Sequence, residues 1–201
     1  MDCRVATSAD IDAVTSTIEL AFRDDPVWGA ALARSDGGTG HLHEYWRLYV
    51  EGAVEDSTAF MTSDASAVAV WVGPGAVEMS DERETALAEL VAAELEPEAA
   101  QLIAELGDRF EAAHTATVPH AYLSLLATHP EHRGHGIGQQ LLAENLARWD
   151  ARGLACYLES TNPENDHRYA RAGFRPVGQF IAPMNGAPVT TMWRDPRPAH
   201  G

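Results

Sequence analysis

The segment from Thr128 to Gln140 decides how this chain is interpreted, and it reads Thr-His-Pro-Glu-His-Arg-Gly-His-Gly-Ile-Gly-Gln-Gln. It follows an apolar run, residues 121–127, and precedes a stretch with leucines at helical spacing. The missing side chains of Gly134, Gly136 and Gly138 allow successive backbone N–H groups to converge on an anion. The free amides at the start of the next helix favour the same ligand. The segment therefore predicts a strand, a turn and a helix that together hold a diphosphate.

Two other kinds of phosphate site were compared with this prediction. Residues 136–141 imitate the first part of the dinucleotide-binding fingerprint, and Glu159 lies about where a ribose-binding acid would stand. The imitation fails at Leu141, where close packing of helix on strand needs a small residue. A nucleoside triphosphate loop requires Gly-Lys-Ser/Thr, and this chain contains no lysine. A dinucleotide-binding protein is therefore the weaker alternative.

Two segments further along the chain accompany the glycine turn. Residues 157–165 read Tyr-Leu-Glu-Ser-Thr-Asn-Pro-Glu-Asn, and residues 169–174 read Tyr-Ala-Arg-Ala-Gly-Phe. Together with Arg-Gly-His-Gly-Ile-Gly at 133–138, they resemble in order and spacing the motifs of the GCN5-related N-acetyltransferase (GNAT) superfamily. Residues 21–26 and 70–75 are in addition similar to the puromycin acetyltransferase-like branch of that superfamily.

The resemblance implies an α/β (α+β) architecture, the GNAT fold. Its mixed central sheet would have about six to seven strands, flanked by helices, with a splay between the fourth and the fifth. We expect a single domain over residues 1–197, in which residues 1–118 supply the acceptor-side helices and residues 119–197 the acetyl-CoA-binding core. A chain of 201 residues with 45% hydrophobic content is long enough for one such core.

The resemblance further implies acetyl-CoA as co-substrate. The glycine turn would hold its pyrophosphate, the strand before it would pair with the pantetheine arm, and the N–H of Leu126 would polarise the thioester oxygen. Two asparagines would bind the pantetheine or adenosine portion, although asparagine equally suits turns and helix caps. The predicted coenzyme-binding residues are Leu126, Ala127, Thr128, Arg133, Gly134, His135, Gly136, Ile137, Gly138, Gln139, Asn162 and Asn165.

The resemblance assigns the general acid to Tyr169, whose phenol could protonate the departing thiolate, and the alternative role of this ring is packing. Glu159 is the first candidate for the general base, and a structural carboxylate that accepts backbone N–H groups is an equal alternative. Asp25 and Glu44 are weaker candidates. The long strand offers no acid, since its residues 122, 124, 126 and 128, predicted to share one face, are Tyr, Ser, Leu and Thr.

The acceptor is predicted to bind at the first two helices and their connector. Acidic and aromatic residues concentrate there, and the predicted substrate-binding residues are Asp25, Trp28, Glu44 and Trp46. Such a cluster suits recognition of a cation. A buried aromatic core is the alternative interpretation of the same residues.

Composition limits the partners of the chain. A formal net charge of −16, from 30 acidic and 14 basic residues, disfavours nucleic acid and would attract a cationic amine, or it merely keeps the protein soluble. The sequence lacks an apolar run of membrane-spanning length and the layout of an export signal, which predicts a cytoplasmic protein. Arginine as the sole basic residue type, with abundant alanine, points to a GC-rich bacterial genome. The resemblance allows a homodimer through the final strands.

Neither histidines nor cysteines predict further chemistry. His129, His132 and His135 recur every third residue, but Pro130 and the glycines prevent one helical face, so no metal is expected. Cys3 and Cys156 stand far apart and outside any Cys-x-x-Cys pair, and Cys156 lies in an apolar strand pattern typical of a buried, inert thiol.

The remaining elements follow from hydrophobic periodicity and from turn residues. Strands are predicted at 4–6, 58–62, 67–72, 121–127, 154–158, 175–181 and 189–193. Helices are predicted at 11–22, 43–54, 82–94, 98–113 and 165–172. A further helix is predicted after the glycine turn, with Leu141, Leu142, Leu146 and Trp149 facing the sheet and its C-terminal end near residues 148–153.

These features predict an acetyl-CoA-dependent N-acetyltransferase. The acetyl group would pass directly, without a covalent acyl-enzyme, to a primary amine of a small molecule or a peptide. An acyl-CoA-binding sensor of the same fold that has lost transfer chemistry is the alternative, motivated by the strand without an acid.

Overall fold

The computed structural model describes residues 2–114 and 117–197, so Met1 of the predicted domain lies outside the described residues. Within these ranges the strands are β1 (Cys3–Val5), β2 (Ala59–Thr62), β3 (Ala67–Val72), β4 (His120–Thr128), β5 (Ala155–Ser160), β6 (Arg175–Ile181) and β7 (Pro188–Arg194). The α-helices are α1 (Ile11–Phe22), α2 (Trp28–Ala31), α3 (His41–Glu55), α4 (Asp81–Glu94), α5 (Pro97–Ala113), α6 (Ile137–Ala151) and α7 (Pro163–Ala172).

The strands form one sheet in the order β1-β2-β3-β4-β5-β7-β6. In this sheet β4 and β5 run parallel, and the other neighbouring pairs run antiparallel. A parallel pair needs a crossover connection, and α6 supplies it between β4 and β5. The predicted mixed sheet flanked by helices is therefore confirmed.

One extra residue, Ser124, interrupts the pairing of β4 with β3. Its neighbours Leu123 and Leu125 pair with the consecutive residues Trp71 and Val70, so Ser124 forms a β-bulge. A bulge bends its strand and increases the local twist. The register between β4 and β5 runs from His120 and stops at Leu123, immediately before the bulge. Beyond it the two strands separate, which is the predicted splay between the fourth and fifth strands.

The bulge also changes which side chains share a face of β4. Leu123 and Leu126 both pack in the cluster on the α6 side, whereas Leu125 and Ala127 pack in the cluster on the α1 and α3 side. The prediction that residues 122, 124, 126 and 128 share one face is therefore wrong. An inserted residue shifts the alternation by one, and the apolar run 121–127 gives no sign of the insertion.

Helices cover both faces of the sheet. Helices α1 and α3 pack on one face, and α6 packs on the other against β3 and β4. Leu141 and Leu142 of α6 are fully buried, and burying a leucine side chain contributes about 1.5–3 kcal/mol. The first turn of α6 is thereby fixed beside the end of β4.

Two polar contacts orient α6. The Nε1 of Trp71 on β3 donates a hydrogen bond of 2.8 Å to Oδ1 of the buried Asn145. At the far end of the helix, Arg194 of β7 donates two bonds of 2.7 Å each to the carboxylate of Asp150. Because Arg194 is buried, removing Asp150 would leave an unpaired charge inside the protein.

The predicted elements differ from the observed ones mainly at their ends, with one helix missed. The short helix α2 was not predicted, and it begins because Oδ1 of Asp25 accepts the N–H groups of Val27 and Trp28, at 2.9 and 3.0 Å. Such local capping of a four-residue helix has no periodic pattern. The break at Glu96 and Pro97 does separate α4 from α5.

Candidate active site

Three cavities follow the line along which β4 and β5 separate. The glycine groove, of about 550 Å³, is bordered by the end of β4, the turn 132–139 and α7. The central chamber, of about 160 Å³, lies between β4, β5, α2 and α3. The acidic cavity, of about 640 Å³, is bordered by residues 72–78, the end of α5 and the start of β4. The chamber shares Asp25, Leu126 and Tyr169 with the groove, and Glu78, Tyr122 and Glu159 with the acidic cavity.

Glycine is required at three points of the groove. Gly134 and Gly136 adopt φ angles of +84° and +76°, in the left-handed region that other residues avoid. A Cβ on Gly138 would come within 2.5 Å of Oγ1 of Thr128, so the first turn of α6 packs directly on the end of β4. The turn and the helix start therefore depend on the absence of three side chains.

The main chain of this turn is available to a ligand. The N–H groups of residues 134–139 have no hydrogen-bond acceptor within the described chain, and the N-terminal residue of α6 makes no side-chain cap. Arg133 lies beside them, with Nη2 donating 3.0 Å to the carbonyl of Ala21 at the end of α1. Arg168 and Arg171 of α7 line the same groove. Unpaired amides, a helix N-terminus and arginines together fit a diphosphate.

The predicted coenzyme-binding residues converge on this groove with one exception. All of them line it except His135, which is exposed and turns its ring towards the carbonyl of His132. Asn162 caps α7 by accepting the N–H of Glu164 at 3.0 Å, and Asn165 accepts a bond of 2.8 Å from Arg168. The two asparagines thus combine structural contacts with a place in the groove wall.

Tyr169 stands where the groove meets the central chamber. Burial raises the pKa of its phenol well above the ordinary value, and the nearby charges of Asp25 and Asp166 act in the same direction. A phenol with a raised pKa stays protonated at neutral pH. Its position and protonation suit a proton donor.

Glu159 of β5 stands on the opposite side of the chamber, at its border with the acidic cavity. Its Oε2 is shielded from solvent and has no hydrogen-bond partner among the described residues. Burial raises the pKa of this carboxyl group to about 7, although the phenols of Tyr157 and Tyr122 beside it act in the other direction. A carboxylate that titrates near neutral pH suits a general base.

A second carboxylate was not found by sequence reasoning. Glu78, which follows β3 in the chain, lines both the central chamber and the acidic cavity. Burial raises the pKa of Glu78, and a hydrogen bond from Ser124 at the bulge opposes the shift. The loop after β3 thus places the carboxylate of Glu78 beside β4, the strand that has no acid of its own. A carboxylate between Val77 and Met79 was the only sequence signal, and it is a weak one.

The predicted acceptor residues separate in the structure. Asp25, Trp28 and Trp46 line the central chamber, whereas Glu44 is exposed on α3 outside the three cavities. Trp46 is 1% exposed, so most of its ring belongs to the core. The carboxylate of Asp25 is occupied with local contacts, since it starts α2 and its Oδ2 accepts a 2.8 Å bond from Thr161 after β5.

In the described ranges, no group of three or more His, Cys, Asp and Glu residues is placed to hold a metal ion. Among the helices of the same ranges, none combines the length and apolar character needed to cross a bilayer.

Comparisons with known proteins agree with this geometry. Residues 88–176, which include β4, the glycine turn, β5 and α7, match the family model of the acetyltransferase (GNAT) domain. A structure from Corynebacterium glutamicum, described as histone acetyltransferase HPA2 and related acetyltransferase, is 25% identical over 98% of each chain, with a TM-score of 0.69.

Two more distant structures share the fold. A mosquito arylalkylamine N-acetyltransferase (like 5b) is 16% identical over 96% of this chain and 99% of that chain, with a TM-score of 0.64. The polyamine N-acetyltransferase of Drosophila melanogaster, which forms N-acetylagmatine, is 15% identical over 96% and 99%, with a TM-score of 0.68.

The splayed sheet, the unpaired amides of the turn and the matched model define an acyltransferase. Residues 88–176 match the GNAT acetyltransferase domain, and a structure that is 25% identical over nearly the whole chain is described as an acetyltransferase, which supports acyl transfer as the reaction. The puromycin acetyltransferase-like branch stays a prediction, because the comparisons do not bear on it.

Proposed function

We propose that the chain is an acetyl-CoA-dependent N-acetyltransferase that transfers the acetyl group directly to a primary amine. One observation carries the proposal: the glycine groove opens into a chamber that has Tyr169 on one side and Glu159 on the other. The two groups have the protonation states that a donor and an acceptor of protons need.

Acetyl-CoA, when bound, supplies a thioester whose carbonyl carbon is open to attack by an amine. The N–H groups of residues 134–139 and Arg133 would hold its pyrophosphate. Leu126, Ala127 and Thr128 lie on the part of β4 that has left β5, so their backbone is available for the pantetheine arm. The N–H of Leu126 would polarise the thioester oxygen.

Glu159 would accept the proton that the acceptor ammonium must lose. The neutral amine then forms a C–N bond with the acetyl carbon, the C–S bond breaks, and Tyr169 protonates the leaving thiolate. The second proton that the nitrogen loses on becoming an amide returns the phenol of Tyr169 to its neutral form. Proton removal and proton donation thus take place on opposite sides of the chamber. Positioning of the three reacting groups supplies much of the rate increase.

Direct transfer is supported by the placement of the thiols. Neither Cys3 nor Cys156 is among the described residues that line the three cavities. Burial raises the pKa of Cys156 to about 12, which leaves almost no thiolate at neutral pH. The described residues that line the site therefore include no cysteine that could form a covalent acyl-enzyme.

The names of the distant structural neighbours support an amine acceptor, since one is called an arylalkylamine N-acetyltransferase (like 5b) and one a polyamine N-acetyltransferase. The sensor alternative was motivated by the absence of an acid on the long strand. Glu78 and Glu159 remove that motivation, because both carboxylates border the chamber.

The test is release of the CoA thiol from acetyl-CoA, measured with and without a panel of primary amines. We expect amine-dependent release that falls about tenfold or more in Tyr169→Phe, with the CoA Kd unchanged. Tyr45→Phe, a buried phenol outside the three cavities, is the matched control. CoA binding without amine-dependent release would favour the sensor, and affinity for NAD instead of CoA would favour the dinucleotide alternative.

A further inference from the structure

The residues that line the acidic cavity indicate which kind of acceptor the site suits. The transfer reaction alone does not specify this. The walls of the cavity contain the carboxylates of Glu78 and Glu159 at the inner end and of the exposed Glu111 on α5. None of the described residues that line it is an arginine, whereas the glycine groove has three. A ligand with a carboxylate or phosphate group would find no permanent positive charge here.

The inner end of this cavity has room for a further hydrogen-bond donor at one carboxylate oxygen. Oε2 of Glu159 is shielded from solvent and unpartnered within the described chain, and an unsatisfied buried oxygen of a charged group is costly. An alkylammonium ion brings three N–H donors and a positive charge to such an oxygen. Glu78 borders the same space, so the inner end offers two carboxylates to one cation.

The two histidines in the wall cannot both carry a positive charge. The Nε2 atoms of His114 and His120 lie 2.7 Å apart, so at least one ring must be neutral to accept the hydrogen bond. Nδ1 of His120 is 2.8 Å from the carbonyl of Val118, and it donates there. Burial lowers the pKa of His114, and the neighbouring His120 acts in the same direction.

Aromatic rings line the same cavity as the three carboxylates. Phe110 and Tyr122 border the cavity, and the ring of His114 lies 5.1 Å from that of Tyr122. Such rings suit both a methylene chain and a cation. The cavity therefore combines acidic groups with an apolar surface.

We propose that the acceptor is a linear amine with a second cationic group, an amine or a guanidine, and without a carboxylate. The reacting ammonium binds between Glu159 and Glu78, the methylene chain lies along Phe110 and Tyr122, and the far cation binds Glu111. The inference rests on the proposed function, and it narrows the substrate of the same site.

The test compares acceptors of similar length and shape but different end groups. We expect kcat/KM with 1,5-diaminopentane to exceed that with hexylamine about tenfold, because the second charge meets a carboxylate. The value with 6-aminohexanoate should be lower than that with hexylamine. Equal values for diamine and monoamine, or preference for the amino acid, would overturn the proposal.

A pair of variants separates this proposal from a general effect of charge. Glu111→Gln should lower kcat/KM for the diamine about two- to fivefold, as expected for an exposed ion pair, and leave hexylamine within error. Glu98→Gln removes an exposed acid of the same helix that does not line the cavity, and it should change neither value. An equal loss with both acceptors in Glu111→Gln would contradict the assigned contact.

The two proposals fail in different ways. If no amine in the panel, including hexylamine and arylalkylamines, releases CoA, the proposed function is wrong. If monoamines are acetylated as efficiently as diamines, the function stands and the inference about the second cation is wrong.

Discussion

The glycine groove and the acidic cavity meet at the same small chamber, but they differ in the groups that they offer a ligand. The groove offers unpaired main-chain N–H groups, a helix N-terminus and three arginines, beside the acids Asp24, Asp25 and Glu164. The acidic cavity offers three carboxylates, aromatic rings and histidines. Under the proposed function, this difference would keep the anionic carrier and the cationic acceptor apart until their reactive ends meet.

The same comparison explains why Glu159 is uncompensated while Asp25 is not. Asp25 borders the groove side of the chamber, and two N–H groups and the hydroxyl of Thr161 satisfy its carboxylate. Glu159 borders the acidic side, and its Oε2 has no partner in the part of the chain that the structure describes. The carboxylate of Asp25, whose hydrogen bonds are made within the fold, has a structural role. The carboxylate of Glu159 has an oxygen without such a bond and is available to accept a proton.

The largest expected effect is on kcat, and it comes from a substitution on the side of the chamber that borders the acidic cavity. Glu159→Gln should lower kcat about a hundredfold, because the amide cannot accept the proton of the ammonium. The CoA Kd should not change, since the groove is untouched. The ratio of wild-type to variant kcat should rise with pH through about 7, the pKa at which the carboxyl group ionises. Taking the ratio at saturating acceptor removes the titration of the amine itself.

Glu44→Gln is the control for that experiment, since Glu44 is an exposed acid outside the three cavities. It should keep wild-type kcat at every pH. A wild-type to Glu159→Gln ratio that stays flat across pH 5–9 would rule out Glu159 as the base.

A second substitution acts on the groove alone. Gly136→Asp should weaken CoA binding about 30- to 100-fold, measured by calorimetry, because it combines left-handed strain with a negative charge beside the diphosphate. Gly186→Asp is the matched control, with a φ of +74° and open space around it, in the turn between β6 and β7. If both variants bind CoA like the wild type, the glycine turn does not bind the diphosphate of CoA.

The smallest expected effect is on stability. The pKa of Glu159 is about 7 in the folded protein against an ordinary 4.5, so the folded state binds more protons between these values. The free energy of unfolding should therefore fall as pH rises from about 4.5 to 7. Glu159→Gln should remove that loss and raise the free energy of unfolding at pH 8 by about 1–3 kcal/mol.

At pH 5 the two proteins should have nearly equal stability, because the wild-type carboxyl group is then mostly neutral. Urea unfolding at both pH values measures the difference. A variant that is less stable than the wild type at pH 8 would show that the carboxylate contributes structural contacts instead of a burial cost.

The parts of this molecule that sequence reasoning found are those that depend on local pattern. Gly134, Gly136 and Gly138 were predicted because a turn at the start of a helix has a recognisable spacing, and the helices and strands followed from periodicity. Tyr169 was predicted from the resemblance and Glu159 from its place near the C-terminal end of the adjoining strand. The structure places both at the chamber, where their roles stay predictions.

The parts that were missed depend on contacts between distant segments. Glu78 meets Ser124 only because β3 and β4 are neighbours, and no spacing along the chain indicates it. Glu44 was predicted at the acceptor site from composition, but its position on α3 turns it to solvent. Glu111 and the histidine pair come from the end of α5 and the start of β4, segments that the prediction had not connected.

The bulge in β4 makes the geometry of the site depend on the number of residues in this strand. Seven residues of β4, 122–128, lie opposite six of β3, 67–72, and Ser124 is the surplus. Deleting that one position would let β3 and β4 pair without interruption and would turn the side chains on one side of the deletion to the opposite face of the sheet. Chain length at this point therefore matters more than side-chain identity.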